Sequence, residues 1–284
     1  MIVYIASYPR SGNFWLQNLL GNQFKRLTTD IHHGINDPNI LEHRTKINKS
    51  YYNIDMHPLD KSESAKYGEL SKWMIAYKFP KEEQVHKGIL PGCLELLNSA
   101  KIRSVLSKDK ECYFLKTHFY PHPTYLDGEY VVQIVRNAGA CLWSYYNFKR
   151  DLMKKFDEDL SKLIHSDFDY GSWSQYHLAW TDAASKLGSR YLMVRYEDLF
   201  GKELEFCKKM QSFLNLDLIS TELRTFDFYH ELRPALTREG KAGGWEKYYS
   251  KDQLKLLWNI HGNVMAYFGY QEPNYDLGMN EAHY

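Results

Sequence analysis

Ile2-Val3-Tyr4-Ile5-Ala6-Ser7 runs straight into Tyr8-Pro9-Arg10-Ser11-Gly12-Asn13-Phe14-Trp15. An apolar run, a Pro-Arg-Ser-Gly turn and an amphipathic stretch predict a strand, an anion-binding loop and a helix within residues 2–26. A helix N-terminus presents unpaired N–H groups and a partial positive charge, which suits a phosphate. Arg10 adds a fixed cation, Ser11 a hydroxyl donor, and Gly12 a backbone that a ligand can approach closely.

Outward from this stretch, short apolar runs alternate with helical patterns. Phe14, Leu16, Leu19, Leu20 and Phe24 fall on one face of a helix over 13–26. Residues 28–70 are polar and weakly periodic and read as loops and short helices on the substrate side. Further strands are expected at 74–79, 112–117, 131–136 and 191–196, the third being the clearest buried run (Val131-Val132-Gln133-Ile134-Val135). Helices are expected at about 92–107, 138–152, 171–187, 202–214 and 251–267. Strands separated by helices imply right-handed crossovers. The expected fold class is therefore α/β: a single domain over 1–284, with a central parallel sheet flanked by helices and a P-loop-like first strand, loop and helix.

Composition excludes several alternatives. With 36 basic and 35 acidic residues the net charge is +1, so the basic excess of a nucleic-acid binder is missing. Cys93, Cys112, Cys141 and Cys207 form no metal or disulfide pattern and read as reduced, buried thiols. No run of about 20 apolar residues could span a membrane. The N-terminus shows no basic flank before an apolar core, so a cytoplasmic protein is expected, with no membrane or nucleic-acid partner.

In a parallel sheet the ligand crevice lies at the carboxyl ends of the strands. Polar groups follow four expected strands there: Arg10-Ser11-Gly12, Lys116-Thr117-His118, Arg136-Asn137 and Tyr196-Glu197-Asp198. Each has an ordinary structural alternative. The first loop could be a plain turn with a helix cap, Arg136 a salt bridge at a helix entry, and Ser144 a hydroxyl bonded back to a carbonyl. Trp173 and Trp180, seven apart, read as core packing on one helical face.

At these residues the chain resembles the cytosolic-type sulfotransferases. Tyr8–Trp15 is similar to their 5′-phosphosulfate loop, YPKSGTTW. Arg136-Asn137 with Ser144-Tyr145-Tyr146-Asn147-Phe148 resembles the 3′-phosphate segment RNPxDxxxSxYxF, and Lys116-Thr117-His118 the KTH motif. Gly171-Ser172-Trp173 with Trp180 resembles a GSWxxHxxxW helix start, and Tyr196-Glu197-Asp198-Leu199 a YEDL strand end. Arg238-Glu239-Gly240-Lys241-Ala242-Gly243-Gly244-Trp245 is similar to the RKGxxGDW loop. The matches keep the family's order, and they define core motifs at 5–26, 112–148, 171–199 and 224–250.

The resemblance implies the donor 3′-phosphoadenosine-5′-phosphosulfate, which leaves as adenosine 3′,5′-bisphosphate, with no metal. It implies that Arg10, Ser11, Gly12, Asn13, Phe14 and Trp15 hold the phosphosulfate end. Arg136 and Ser144 take the 3′-phosphate, while Arg238, Glu239 and Gly240 close over it. Trp15 and Phe226 are the expected faces for the adenine, with Tyr196 supplying its hydroxyl or ring edge. His118 is the expected general base, Lys116 stabilises the group in transfer, and Arg10 takes the leaving phosphate's charge. His122 is a weaker rival base because it lies beyond Pro121. The acceptor is a small molecule with a hydroxyl or amine, a polar metabolite being favoured by the 28–70 composition.

Several positions depart from the pattern. Arg10 stands for a lysine and Phe14 for a hydroxyl residue. Glu239 and Gly244 replace a lysine and an aspartate, leaving the lid less positive. The dimer motif KxxxTVxxxE does not occur at 246–255, so monomer and homodimer stay open. A nucleotide-dependent kinase or NTPase is the alternative enzyme, but GxxxxGK[ST] is missing. A non-catalytic nucleotide-binding protein fits poorly with Lys116 and His118 both present.

Overall fold

The computed structural model describes residues 1–31, 37–152, 159–165, 170–234, 237 and 243–278. Five strands form a parallel sheet: β1 (Ile2–Ser7), β2 (Thr28–Asp30), β6 (Tyr113–Thr117), β7 (Glu129–Val135) and β8 (Tyr191–Arg195), in the order β2-β6-β1-β7-β8. β1 is central and wholly buried. Its side chains alternate: Ile2, Tyr4 and Ala6 enter one core cluster, Val3 and Ile5 another, so helices cover both faces. The expected fold class holds.

Three expectations change. The segment 28–70 is not loop-dominated: it supplies β2 to the main sheet, a 13-residue helix (Ile40–Tyr52) and β3 (Met56–Pro58). β2 is three residues of Thr-Thr-Asp with no apolar run, so only the ladder from β6 reveals it. Second, β4 (Met74–Tyr77) joins β3 and β5 (His86–Ile89) in a separate antiparallel sheet, over a core of Ile54, Met56, Ile75, Tyr77, Phe79 and Leu90. Third, the helix expected at 92–107 breaks into Leu94–Leu97 and Ala100–Ser107, because Ser99 turns extended at the second helix's start. The helices Ala138–Leu152, Trp173–Leu187, Glu203–Leu214 and Lys251–Tyr267 stand close to where the periodicity puts them. Ser250, in the stretch where the dimer motif would lie, forms a capping box with Gln253. No helix among the described residues is long and apolar enough to cross a membrane.

The Trp173–Leu187 helix fastens the sheet's carboxyl end. Trp173 Nε1 donates to the Arg136 carbonyl at 3.1 Å, the Tyr176 hydroxyl to the Thr117 carbonyl at 3.3 Å, and Trp180 Nε1 to the Phe119 carbonyl at 3.1 Å. Both tryptophans are buried core residues, as expected, and they also pin two strand-end loops.

On the same helix His177 is fully buried. Its Nδ1 accepts from Gln133 Nε2 at 2.9 Å, and its Nε2 finds no hydrogen-bond partner among the described residues. Burial, with a smaller effect from His261, pushes the imidazole down to about 3. An unfolded histidine titrates near ~6.5, so below that pH the unfolded chain binds a proton that the native state refuses. Stability from this group is complete above ~6.5 and is lost as pH falls toward about 3. At pH 5 the loss is about 2 kcal/mol. We expect the melting temperature to fall from pH 7 to pH 5, and the fall to shrink in His177→Gln; an equal fall in both proteins would refute the assignment.

Candidate active site

The loop after β1 turns on two left-handed residues, Arg10 (φ 69°) and Gly12 (φ 98°). Gly12 caps the helix α1 (Asn13–Gln23) and offers no side chain to its first N–H groups, and Asn13, Phe14 and Trp15 line the cavity. A Cβ at Gly12 would stand 2.4 Å from the Tyr196 ring. Glycine is therefore required by the ring as well as by the backbone conformation. Ser11 does not line the cavity. Its side chain is fully buried, 3.4 Å from Cys141 Sγ, which itself donates to the Pro9 carbonyl at 2.9 Å.

A cationic pole forms where β7 ends. Arg136 Nη1 donates to the Arg10 carbonyl at 3.0 Å, and its guanidinium stacks 4.6 Å from the centre of the Tyr196 ring. Arg10 itself turns toward the helix Ala138–Leu152: Nε donates to Ser144 Oγ at 3.1 Å, and the guanidinium lies over the Phe148 ring. The loop cation and the expected 3′-phosphate hydroxyl thus form one group. The helix entry is fixed by Asn137 Oδ1, which accepts from the Gly139 backbone at 2.9 Å. Glu197 Oε1 accepts the Asn137 N–H at 3.0 Å, which makes Glu197 a structural tie between β7 and β8. Lys149, also buried, lines the same wall, as do Trp245 and Tyr248.

At the opposite pole stands His118. Its Nδ1 lies 2.5 Å from the Ser7 carbonyl, which can only accept, so Nδ1 carries the proton and the neutral ring keeps its lone pair on Nε2. Asn13 Nδ2 lies 3.4 Å from that Nε2, and Tyr170 meets the ring edge-on at 5.3 Å. Lys116 Nζ is 3.2 Å from Asp30 Oδ1, which also accepts from Gln17 Nε2 at 3.3 Å. Desolvation raises the Asp30 carboxyl, but the charges of Lys116 and Arg44 and the hydrogen bond from Lys116 outweigh it, and the group stays below its ordinary value. His122 is not brought to the site. It packs against Tyr4 and Tyr125, where burial and then Arg103 push it down to about 4.

A third wall is aromatic. Trp15 meets Tyr196 edge-on at 6.2 Å, and Phe226, 39% exposed, opens the helix Phe226–Leu232, whose cap is Thr225. Phe14 turns from the loop toward Tyr51 and Tyr229. Arg238, Glu239 and Gly240 lie outside the described residues; Thr237 and Gly243, on either side of them, line the cavity. All three walls enclose one cavity of about 680 Å³, the size of a small-molecule site. Sequence reasoning missed Gln17, Asp30, Lys149, Tyr170, Leu223 and Arg224, all of which line it. Among the described residues no group of three or more histidine, cysteine or acidic side chains could hold a metal ion.

Comparison with known proteins follows the geometry. The family model for the sulfotransferase domain matches residues 2–269. Among solved structures, mouse sulfotransferase SULT7A1 complexed with PAP is similar at a TM-score of 0.53 and 17% identity, over 93% of this chain and 84% of that one. Retinol dehydratase in complex with androsterone and inactive cofactor PAP is similar at 0.55 and 16%, over 96% and 83%. At these identities the structures attest to the fold, while the family model spans nearly the whole sequence. The chain belongs to the sulfotransferase domain family and is an enzyme of sulfuryl transfer.

Proposed function

We propose that this sulfotransferase draws its sulfuryl group from 3′-phosphoadenosine-5′-phosphosulfate and passes it to a hydroxyl or amine of a small acceptor, with His118 as general base. One observation carries the reading: a single cavity joins the open N-terminus of α1 and the Arg136–Arg10–Ser144 group to His118 and Lys116. The chain's own residues fit such a donor. Backbone N–H groups at 13–15 and two guanidiniums offer the anion contacts, and Trp15, Tyr196 and Phe226 offer ring faces. The likeness to PAP complexes supports the same nucleotide.

The donor supplies a sulfuryl group whose bond to the phosphate breaks as the acceptor oxygen or nitrogen bonds to sulfur, in analogy with phosphoryl transfer. His118 takes the acceptor proton at Nε2, the nitrogen that the Ser7 carbonyl leaves basic. Lys116 meets charge on the transferring group, while Arg10 and Arg136 meet charge on the phosphates. Arg10 does this from the Ser144 side, where its guanidinium rests. The cavity lining combines Phe14, Phe148, Tyr170 and Tyr229 with Gln17 and Asp30, which suits a ring-bearing acceptor with polar substituents.

The test is an assay in EDTA with this donor and four acceptors: 4-nitrophenol, cyclohexanol, glucose and tyramine. PAP should be released, and PAP alone should raise the melting temperature by mass action. Turnover of ATP with magnesium, and no stabilisation by PAP, would overturn the reading in favour of a kinase or NTPase.

A further inference from the structure

Asp30 ends β2, and the parallel register sets it beside Lys116 of β6. Its Oδ1 holds both Lys116 Nζ, at 3.2 Å, and Gln17 Nε2, at 3.3 Å. Gln17 lies one turn beyond Asn13 on α1, and Asn13 reaches His118 Nε2. One face of α1 thus touches the base and also the carboxylate that holds the lysine. Asn13, Gln17, Asp30, Lys116 and His118 all line the cavity. A lysine ammonium is a compact charge on a flexible four-carbon stem, so a partner must decide where it rests.

We propose that Asp30 is a positioning residue for sulfuryl transfer: its carboxylate, steadied by Gln17, holds the Lys116 ammonium on the His118 side of the cavity, where the acceptor loses its proton. This rests on the reading of Lys116 and His118 given above. The competing explanation is an ion pair at the sheet edge that merely ties β2 to β6. Such an ion pair would cost stability when broken but would leave no kinetic link to Lys116. Lys116 and Asp30 side chains are 15% and 31% exposed, so the pair is partly buried, and Asp30→Asn, which keeps the shape and an oxygen able to accept a hydrogen bond, is the variant chosen to retain the fold. Donor binding should also survive, because Arg136 follows β7, three strands across the sheet from β2.

The experiment is a double-mutant cycle on the full chain. It uses the best acceptor of the four named above and, in parallel, water alone as the acceptor in slow donor hydrolysis. Asp30→Asn should lower kcat about tenfold with the donor KM unchanged, and Asp30→Glu should recover part of the loss. In a Lys116→Met background, adding Asp30→Asn should cost less than about twofold, because the interaction is already gone. A kcat within about twofold of the parent in Asp30→Asn, or losses that multiply in the double variant, would overturn the proposal. If Lys116→Met leaves kcat unchanged, the underlying reading of Lys116 falls, and this proposal with it. Loss in Lys116→Met without loss in Asp30→Asn overturns the Asp30 role alone. Melting with and without PAP checks that each variant folds, and Gln17→Leu carries the same cycle if Asp30→Asn does not.

Discussion

His118→Ala should lower kcat by about 10²- to 10⁴-fold while leaving PAP affinity close to that of the parent enzyme. That range corresponds to about 3–5 kcal/mol of transition-state stabilisation. The size follows from where the ring stands. Its Nδ1–H is committed to the Ser7 carbonyl at the end of β1, so the loop that begins the anion site also sets the tautomer of the base. Removing the ring takes away the proton acceptor but leaves Arg136, Ser144 and the N-terminus of α1 in place. Any acid limb that protonation of this base imposes on kcat should vanish with it, since only the neutral imidazole can accept the proton. His122→Ala is the control: its ring packs on Tyr4 and Tyr125 outside the cavity, so kcat should barely move. A His118→Ala enzyme with kcat within about threefold of the parent would sink the assignment of the base.

What could be read from the sequence, and what could not, divides along a physical line. β1, β6 and β7 are apolar runs followed at once by a polar group, and burial on both faces of a sheet leaves that mark on the chain, while the edge strand β8 carries a similar run although Met193 is 37% exposed. Arg10, Lys116, His118, Arg136 and Tyr196 line the cavity because each stands at or just past the carboxyl end of a strand, a position the sequence shows. β2 left no mark, since three polar residues become a strand only when β6 supplies the ladder. Asp30 was invisible for the same reason, and Gln17 because its partner is the residue that β2 presents. The Ser11 hydroxyl suits a phosphate by residue type alone. Its direction is set by Cys141, 130 residues away, which no local pattern records. Arg10 shows the limit most clearly: residue type and loop position are local facts, but its rest position is decided by Ser144 and Phe148 on another element.

The second large effect is expected at Arg136. If this guanidinium and Ser144 hold the 3′-phosphate, Arg136→Ala should weaken PAP by about a hundredfold, the loss of two charge-assisted hydrogen bonds. A general collapse of the site would do the same, so affinity for PAP alone does not decide the matter. Adenosine 5′-phosphate does, because it keeps the ring and the 5′-phosphate and lacks only the group in question. The parent enzyme should prefer PAP over adenosine 5′-phosphate strongly; in Arg136→Ala that preference should nearly disappear, with affinity for adenosine 5′-phosphate little changed. Trp173 is bonded to the Arg136 backbone carbonyl, not to its side chain, so the strand end stays fastened in the variant. Arg136→Lys should recover only part of the preference. An ammonium keeps the charge, but it cannot bond the Arg10 carbonyl, stack on Tyr196 and reach a phosphate in one plane as the guanidinium can. Equal losses of both nucleotides in Arg136→Ala would instead mean that the side chain acts on the loop, through the Arg10 carbonyl, and the second phosphate would have to be sought at Lys149 on the same wall.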